Sequence, residues 1–133
     1  MTTDTRISPF RAAVEARDLD AVSAALAPDV VLHSPVTFHP YTGREAVGAL
    51  LSLIAETFED LRYTDELHGP DGVQALVFRT RVGEREIEGL DLLRLDADGL
   101  VADLTVMLRP LSGLVALAQA IAPKVEAAGL KTA

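Results

Sequence analysis

Asp91 lies in the run Ile87-Glu88-Gly89-Leu90-Asp91-Leu92-Leu93-Arg94-Leu95, whose β-forming, alternating residues read as a strand. Successive strand side chains point to opposite faces, so Asp91 shares a face with Ile87, Gly89, Leu93 and Leu95. A carboxylate on an aliphatic face must be paired, raised in pKa, or turned toward a ligand. Pairing would make it the structural partner of a neighbouring-strand arginine, Arg79 or Arg81. Otherwise Asp91 is placed to act as a general acid/base or as a donor to a ligand carbonyl. Gly89, with no side chain, would let a ligand or another strand come close.

The other chemistry-bearing residues are more scattered. His33 and His39 flank the loop after the first strand, where a proton shuttle could sit, although surface histidines are the commoner case. By parity His33 faces away from Val30 and Leu32. His68 falls in a turn and is given no role. Three dispersed histidines and no cysteine give no metal-ligand spacing, so neither a metal nor a cofactor is expected. Tyr41 is placed either to hang its hydroxyl over a pocket or to anchor the following helix. Arg79, Arg81, Arg94 and Arg109 lie on expected strands, where a pocket arginine would orient a carboxylate or enolate. Such residues more often face solvent or a partner.

Composition narrows the classes. The 133 residues are 49% hydrophobic with a net charge of −8, enough apolar content for a core and the wrong sign for nucleic acid or an anionic membrane. No apolar run approaches spanning length and no leader-like segment opens the chain, so a cytoplasmic protein is expected. Two lysines against ten arginines is a usage common in high-GC bacteria.

The elements that must position Asp91 follow from periodicity. Residues 1–7 are polar and unpatterned, an expected flexible N-terminus to a single domain over 8–128. Ser8-Pro9 caps a first helix marked by Phe10, Ala13 and Val14, and Asp18 caps a second with Leu19, Val22 and Leu26 inward and Pro28 at its end. A short strand runs from Val30 to Ser34. Thr42-Gly43-Arg44-Glu45 reads as a capping box for a long helix with Val47, Leu50, Leu51, Ile54 and Phe58 on one stripe. The period then falls to two. Strands over 61–67, 73–82, 87–95 and 100–109 are joined by turns at Gly69-Pro70-Asp71-Gly72, Gly83-Glu84 and Asp96-Ala97-Asp98-Gly99, an antiparallel meander. A closing helix carries Leu111, Leu114, Val115, Ala118, Ile121 and Val125, with Pro123 as a possible kink. The class is α+β: a curved sheet of four long strands and one short one, roofed by three helices and a C-terminal helix.

This order of elements resembles the nuclear transport factor 2-like superfamily, and within it the SnoaL-like polyketide cyclase and ketosteroid isomerase branch. Asp18-Leu19-Asp20, His33-Ser34-Pro35-Val36, and Leu90-Asp91 with Asp98-Gly99 carry the likeness, over residues 8 to about 122. The resemblance implies a conical apolar pocket. It also implies a tyrosine on helix one, an aspartate base before a proline and a protonated aspartate on the meander. Those positions hold Phe10, Ser34 and Asp91. A protonated aspartate of that kind is a known worked case of a carboxylic acid kept neutral to donate a hydrogen bond. Phe10 offers no donor, and Ser34 cannot take a carbon-bound proton unaided, so steroid isomerisation by that mechanism is not expected. The limonene-epoxide-hydrolase branch needs a late-strand carboxylate, where this chain has Val106, Met107, Leu108 and Arg109.

The expected site is therefore Asp91 in a pocket lined by Phe10, Val14, Ser34, Tyr41, Ile54, Phe58, Leu93, Val106 and Leu108, with Leu26, Leu50 and Leu114 as core or wall. A small apolar ligand is the expected partner, either a carbonyl compound turned over by acid/base chemistry or a ligand held without reaction. Leu90, Leu92 and Met107 lie on the opposite sheet face, and exposed apolar sheet surface points to a homodimer there. The resemblance implies the same mode of association.

Overall fold

The computed structural model describes residues 8–130, so the flexible N-terminus expected over 1–7 lies outside the described residues. Ser8 accepts from the Arg11 amide and opens α1 (Pro9–Glu15), and Asp18 accepts from Ala21 to open α2 (Leu19–Ala24). Six strands follow in one mixed sheet: β1 (Leu26–His33), β2 (Tyr41–Thr42), β3 (Glu59–His68), β4 (Val73–Val82), β5 (Arg85–Leu95) and β6 (Val101–Arg109). Helix α3 (Arg44–Thr57) separates β2 from β3, and α4 (Leu111–Ala127) closes the chain. The spatial order is β2-β1-β6-β5-β4-β3, with β1 parallel to β6 and the other neighbours antiparallel. The α+β class and the curved sheet stand as read from the sequence.

Several details differ, each for a local reason. The first strand begins at Leu26, not Val30, so Pro28 sits inside it instead of ending α2. It is tolerated there because the β1–β6 register breaks between Leu26 and Val31, where a ladder donor is not required. Leu26 is fully buried as a strand residue, whereas Leu19 is half exposed. The capping box does not form. Thr42 pairs with Val31 in the extra short strand β2, and Gly43 takes the N-cap with no side-chain hydrogen bond. Arg44 turns back instead, its Nε 3.0 Å from the Leu26 carbonyl.

The closing helix is rotated from the stripe that the sequence suggested. Gly113, Leu117, Ile121 and Val125 face inward, while Leu111 is 74% and Val115 44% exposed. Gly113 sets this phase, because a Cβ there would lie 2.6 Å from Ile87 Cγ1 and 3.0 Å from the Glu86 carbonyl. Lys124 donates to Thr57 at 2.9 Å, tying α4 to the end of α3.

The hairpin between β4 and β5 carries no bulge. Val82 pairs with Arg85 and the register runs unbroken to Val73 opposite Arg94. The inward face therefore holds Gln74, Leu76, Phe78 and Thr80 of β4 with Ile87, Gly89, Asp91 and Leu93 of β5. The space above Gly89 is filled by a side chain of the neighbouring strand. The Phe78 ring lies across it, and a Cβ on Gly89 would come within 2.1 Å of Phe78 Cζ. Phe78 also meets Phe58 at 5.9 Å and Tyr63 edge-on at 6.0 Å between ring centroids. Gly89→Ala should therefore cost about 1–3 kcal/mol of stability through overpacking. Urea unfolding measures it, and an unchanged midpoint would show that the Phe78 ring has room to move.

Candidate functional site

Between the inner sheet face and helices α1, α3 and α4 lies a cavity of about 550 Å³. That is the size of a pocket for a small organic molecule. Phe10, Val14, Ile54, Phe58 and Val106 line it, with Ser34 and Tyr41 from the β1–β2 end and Asp91 from β5. Exposed Arg17, Leu19, Val36 and Glu56 also contribute to its lining and form its rim. Two residues expected on the wall are elsewhere. Leu93 is fully buried in the core and Leu108 packs against the core, and neither lines the cavity. Leu93 keeps the parity of Asp91 but lies nearer the Gln74 and Leu104 end of the sheet, where side chains close up.

Asp91 is 8% exposed and its strand neighbours on this face are Leu76 and Val106. Among the described residues no arginine reaches it. Arg79 bonds Glu88 at 3.3 Å, and Arg81 bonds Glu59 at 3.0 Å and Asp60 at 2.9 Å, all on the outer face or at the sheet edge. The unbroken β4–β5 register places both arginines on the parity opposite to Phe78 and Thr80. The structural ion pair weighed for Asp91 is thus excluded. Arg109 likewise bonds Glu88, Arg94 is exposed, and His33 bonds Asp103 at 3.0 Å on the outer face. His39 is exposed in its loop and does not line the cavity.

The hydrogen-bond partner of Asp91 is a residue that the sequence did not single out. Tyr63 on β3 reaches two strands across, and its hydroxyl donates to Asp91 Oδ2 at 3.4 Å. The rows of the sheet explain the reach. Tyr63, Phe78 and Gly89 are consecutive partners in one row, and Asp91 stands two residues beyond Gly89 on the same face. The Phe78 ring leans into the gap over Gly89, and the Tyr63 phenol passes beside it. Strand parity predicts that Tyr63 shares the inward face with Leu61. A β3 irregularity between Tyr63 and Asp65 then shifts the phase, which turns Glu66 inward.

Tyr63 is held from above. The Arg11 guanidinium lies 5.4 Å from its ring centroid and bonds Glu66 at 3.1 Å. Glu66 also accepts from the Ser8 amide at 3.1 Å and contacts His68, so α1 is pinned to β3 by one carboxylate. Burial pushes the Glu66 carboxyl up, but the bonds from His68, Arg11 and Ser8 outweigh it and hold the group below its usual range. At Asp91 the balance runs the other way. Burial among apolar groups pushes its carboxyl up to about 7, and the Tyr63 hydrogen bond draws it back only in part. Burial and the adjacent Asp91 charge raise the Tyr63 phenol well above its ordinary value, so it stays a donor. Among the described residues no three metal-ligating side chains cluster.

The SnoaL-like domain family matches residues 8–104. The chain belongs to this family. A crystal structure of a steroid delta-isomerase from Pseudomonas aeruginosa is 38% identical to this SnoaL-like chain, with a TM-score of 0.84 over 90% of this chain and 88% of that one. An uncharacterised bacterial protein with a cystatin-like fold from Silicibacter pomeroyi is 31% identical, with a TM-score of 0.84 over 89% and 83% of the two chains. A protein of ketosteroid isomerase-like fold from Catenulispora acidiphila, in complex with trimethylamine, shares the fold at 17% identity, with a TM-score of 0.65 over 89% and 95%. No curated protein gives a match. No helix among the described residues is long and apolar enough to cross a membrane.

The raised carboxyl has a consequence for stability. In the unfolded chain Asp91 ionises near its ordinary value, close to 4, while in the folded protein it keeps its proton to about 7. The folded state thus binds the extra proton, and stability falls as pH rises between those values, by up to about 4 kcal/mol. Asp91→Asn keeps the shape and an acceptor for Tyr63 but cannot ionise. Its stability relative to the parent protein should therefore increase from pH 5 to pH 8 in urea unfolding. An equal pH dependence in both proteins would mean that Asp91 is not held protonated.

Proposed function

We propose that this SnoaL-like protein binds a small, largely apolar carbonyl compound in the cavity and isomerises or cyclises it with Asp91 as proton carrier. The observation that supports this is one carboxyl, buried in an apolar wall, whose single hydrogen bond among the described residues is the long one to Tyr63. A carboxyl poised near neutrality both accepts and returns a proton at the working pH. In the ionised form Asp91 takes a proton from the carbon next to the carbonyl. Tyr63, its hydroxyl released from Asp91, steadies the charge on the enolate oxygen. Returning the proton at a different carbon completes an isomerisation. Attack of the enolate carbon on a second carbonyl of the same ligand leaves an alkoxide there, and Asp91 returning its proton to that oxygen completes a cyclisation. The apolar walls exclude water and strengthen both contacts.

Binding without turnover is the second reading. Phe10 and Ser34 favour it, since Phe10 supplies no donor and Ser34 no base, and the other lining carboxylates, Glu15 and Glu56, belong to exposed residues. Incubation with a β,γ-unsaturated ketone, followed by the absorbance of the conjugated enone, separates the two. Asp91→Asn should lower the rate by roughly 10²-fold or more, the usual worth of a positioned acid/base. A rate retained in that variant removes Asp91 from the chemistry, and ligand binding with no turnover by the parent protein leaves the binding module.

The outer sheet face supports a homodimer. Met107, Leu90 and Val77 are consecutive partners in one row, and Thr105, Leu92, Ala75 and Leu67 in the next. Met107 is 48% and Leu67 58% exposed. The Arg109–Glu88–Arg79 ion-pair ladder borders this patch on one side and Asp103 with Arg94 on the other, a self-complementary rim for a two-fold contact. Met107→Glu should yield monomers by sedimentation at micromolar concentration, while an unaltered dimer would place the interface elsewhere.

A further inference from the structure

Asp91 depends on Tyr63, yet the strand that carries Tyr63 holds it loosely. Strand β3 is the last in the sheet order, and its register against β4 breaks between Tyr63 and Asp65, so the backbone is irregular where the ring is attached. The hydroxyl reaches Asp91 at 3.4 Å, the long end of the range for such a bond, where a small displacement of the ring removes it. Phe78 meets the ring edge-on, and the Arg11 guanidinium lies over it, 5.4 Å from its centroid. Arg11 is itself clamped, its Nη1 3.1 Å from Glu66 and its Nε 3.3 Å from Glu15. The Arg11 side chain is 20% exposed and that of Glu66 11%, so water screens this pair less than a surface pair. Glu66 also accepts from the Ser8 amide, which fixes the start of α1 to the same carboxylate. Helix α1 carries Phe10 and Val14 of the cavity wall, so the element that walls the cavity also bears the cation over Tyr63. That cation acts on the hydroxyl too. A positive charge over the ring favours electron density on the phenol oxygen and makes its O–H a stronger donor. Burial raises the Tyr63 phenol most and Asp91 adds to it, whereas Arg11 draws it down.

We propose that Arg11 is a positioning residue for this acid/base pair: it holds the Tyr63 hydroxyl against Asp91 and strengthens it as a donor, with Glu66 as its anchor. This rests on the Asp91–Tyr63 site proposed above. Arg11 does not line the cavity, so it touches no ligand there and acts on Asp91 through Tyr63. The proton affinity of the cavity acid is thereby set in part from α1, by a charge outside the cavity.

Carbon-13 NMR of the full chain, labelled at the aspartate carboxyls, follows the titration of Asp91 and needs neither a ligand nor turnover. Asp91→Asn identifies its resonance. The other ionisable groups lining the cavity among the described residues are Glu15, Arg17, Tyr41 and Glu56, none of which carries the label. Tyr63→Phe removes the bond that favours the charged form and should move the Asp91 midpoint up by about half to one pH unit. Arg11→Met, which keeps an apolar stem over the ring, should move it in the same direction. Glu66→Gln, which keeps an oxygen for the Ser8 amide but loosens Arg11, should do so by less, and it carries the same comparison if Arg11→Met does not fold. The deciding variant combines Arg11→Met with Tyr63→Phe. Its midpoint should equal that of Tyr63→Phe alone, because Arg11 acts through the hydroxyl. An Arg11 effect that persists without the hydroxyl shows the charge acting on Asp91 directly. A midpoint unmoved by both Arg11→Met and Glu66→Gln shows the ring held without Arg11. Either result overturns the proposal and leaves the Asp91–Tyr63 pair standing. A midpoint unmoved by Tyr63→Phe shows that the pair does not form, and the proposed site falls with it.

Discussion

Burying one carboxyl in an apolar wall is the constraint that the rest of the site answers to. Among the described residues Asp91 has no cation to offset the loss of water, so its environment favours the neutral acid, and the Tyr63 hydrogen bond opposes that preference only in part. Tyr63 is in turn held in place by residues with no contact to the cavity chemistry. Arg11 covers its ring, Glu66 holds Arg11, and the Ser8 amide ties the start of α1 to the same carboxylate. The docking of the first helix and the protonation of the cavity acid are therefore one system. The charged links lie near the outside, where water shares their cost, and the neutral link lies inside.

The strand carrying Asp91, its parity and its aliphatic neighbours were legible because a two-residue period leaves no freedom once one face is buried. The long stripe of α3 and the four-stranded meander were legible for the same reason: long periodic segments specify their own partners. What escaped was set by backbone contacts rather than by pattern. Pro28 reads as a helix stop, and only the broken register against β6 lets it sit within β1. Thr42 and Glu45 have the spacing of a capping box, but pairing with Val31 draws Thr42 into β2, and the cap passes to Gly43. The phase of α4 depends on Gly113 meeting Ile87, a contact between residues 26 apart in the chain.

The site was legible by half. Asp91 declares itself as a carboxylate out of place. Tyr63 does not, since a tyrosine in a strand is ordinary and its contact with Asp91 crosses an intervening strand. The signal that could have found it is the pair Phe78 and Gly89. A glycine facing inward opposite a large aromatic marks where a ring leans across the sheet and where the next aromatic can pass beside it. The question of Arg79 and Arg81 turned on a single bulge at the Gly83 hairpin. One extra residue there would have reversed the parity of β4 against β5 and set both arginines on the face that Asp91 occupies.

Phe10 and Ser34 give that register its functional weight. In a cavity with several ionisable groups, losing one alters a pKa by degrees, and neighbours compensate. Here Phe10 is a phenyl ring and Ser34 a hydroxyl that does not ionise, so among the described residues the proton affinity of Asp91 is set by burial and by the Tyr63 hydroxyl. A ligand that fills the cavity displaces water and raises that affinity further. A ligand oxygen that takes the Tyr63 hydroxyl removes the only bond among the described residues that favours the charged form. Both effects act in the same direction, so a bound carbonyl compound would meet a protonated Asp91 as a donor, and the ionised base would have to arise before binding or within the complex at a cost. This ordering separates the site from one with two carboxylates, where acid and base coexist. It ties any turnover here to the ease with which Tyr63, at 3.4 Å and not tightly bonded, exchanges one oxygen for another.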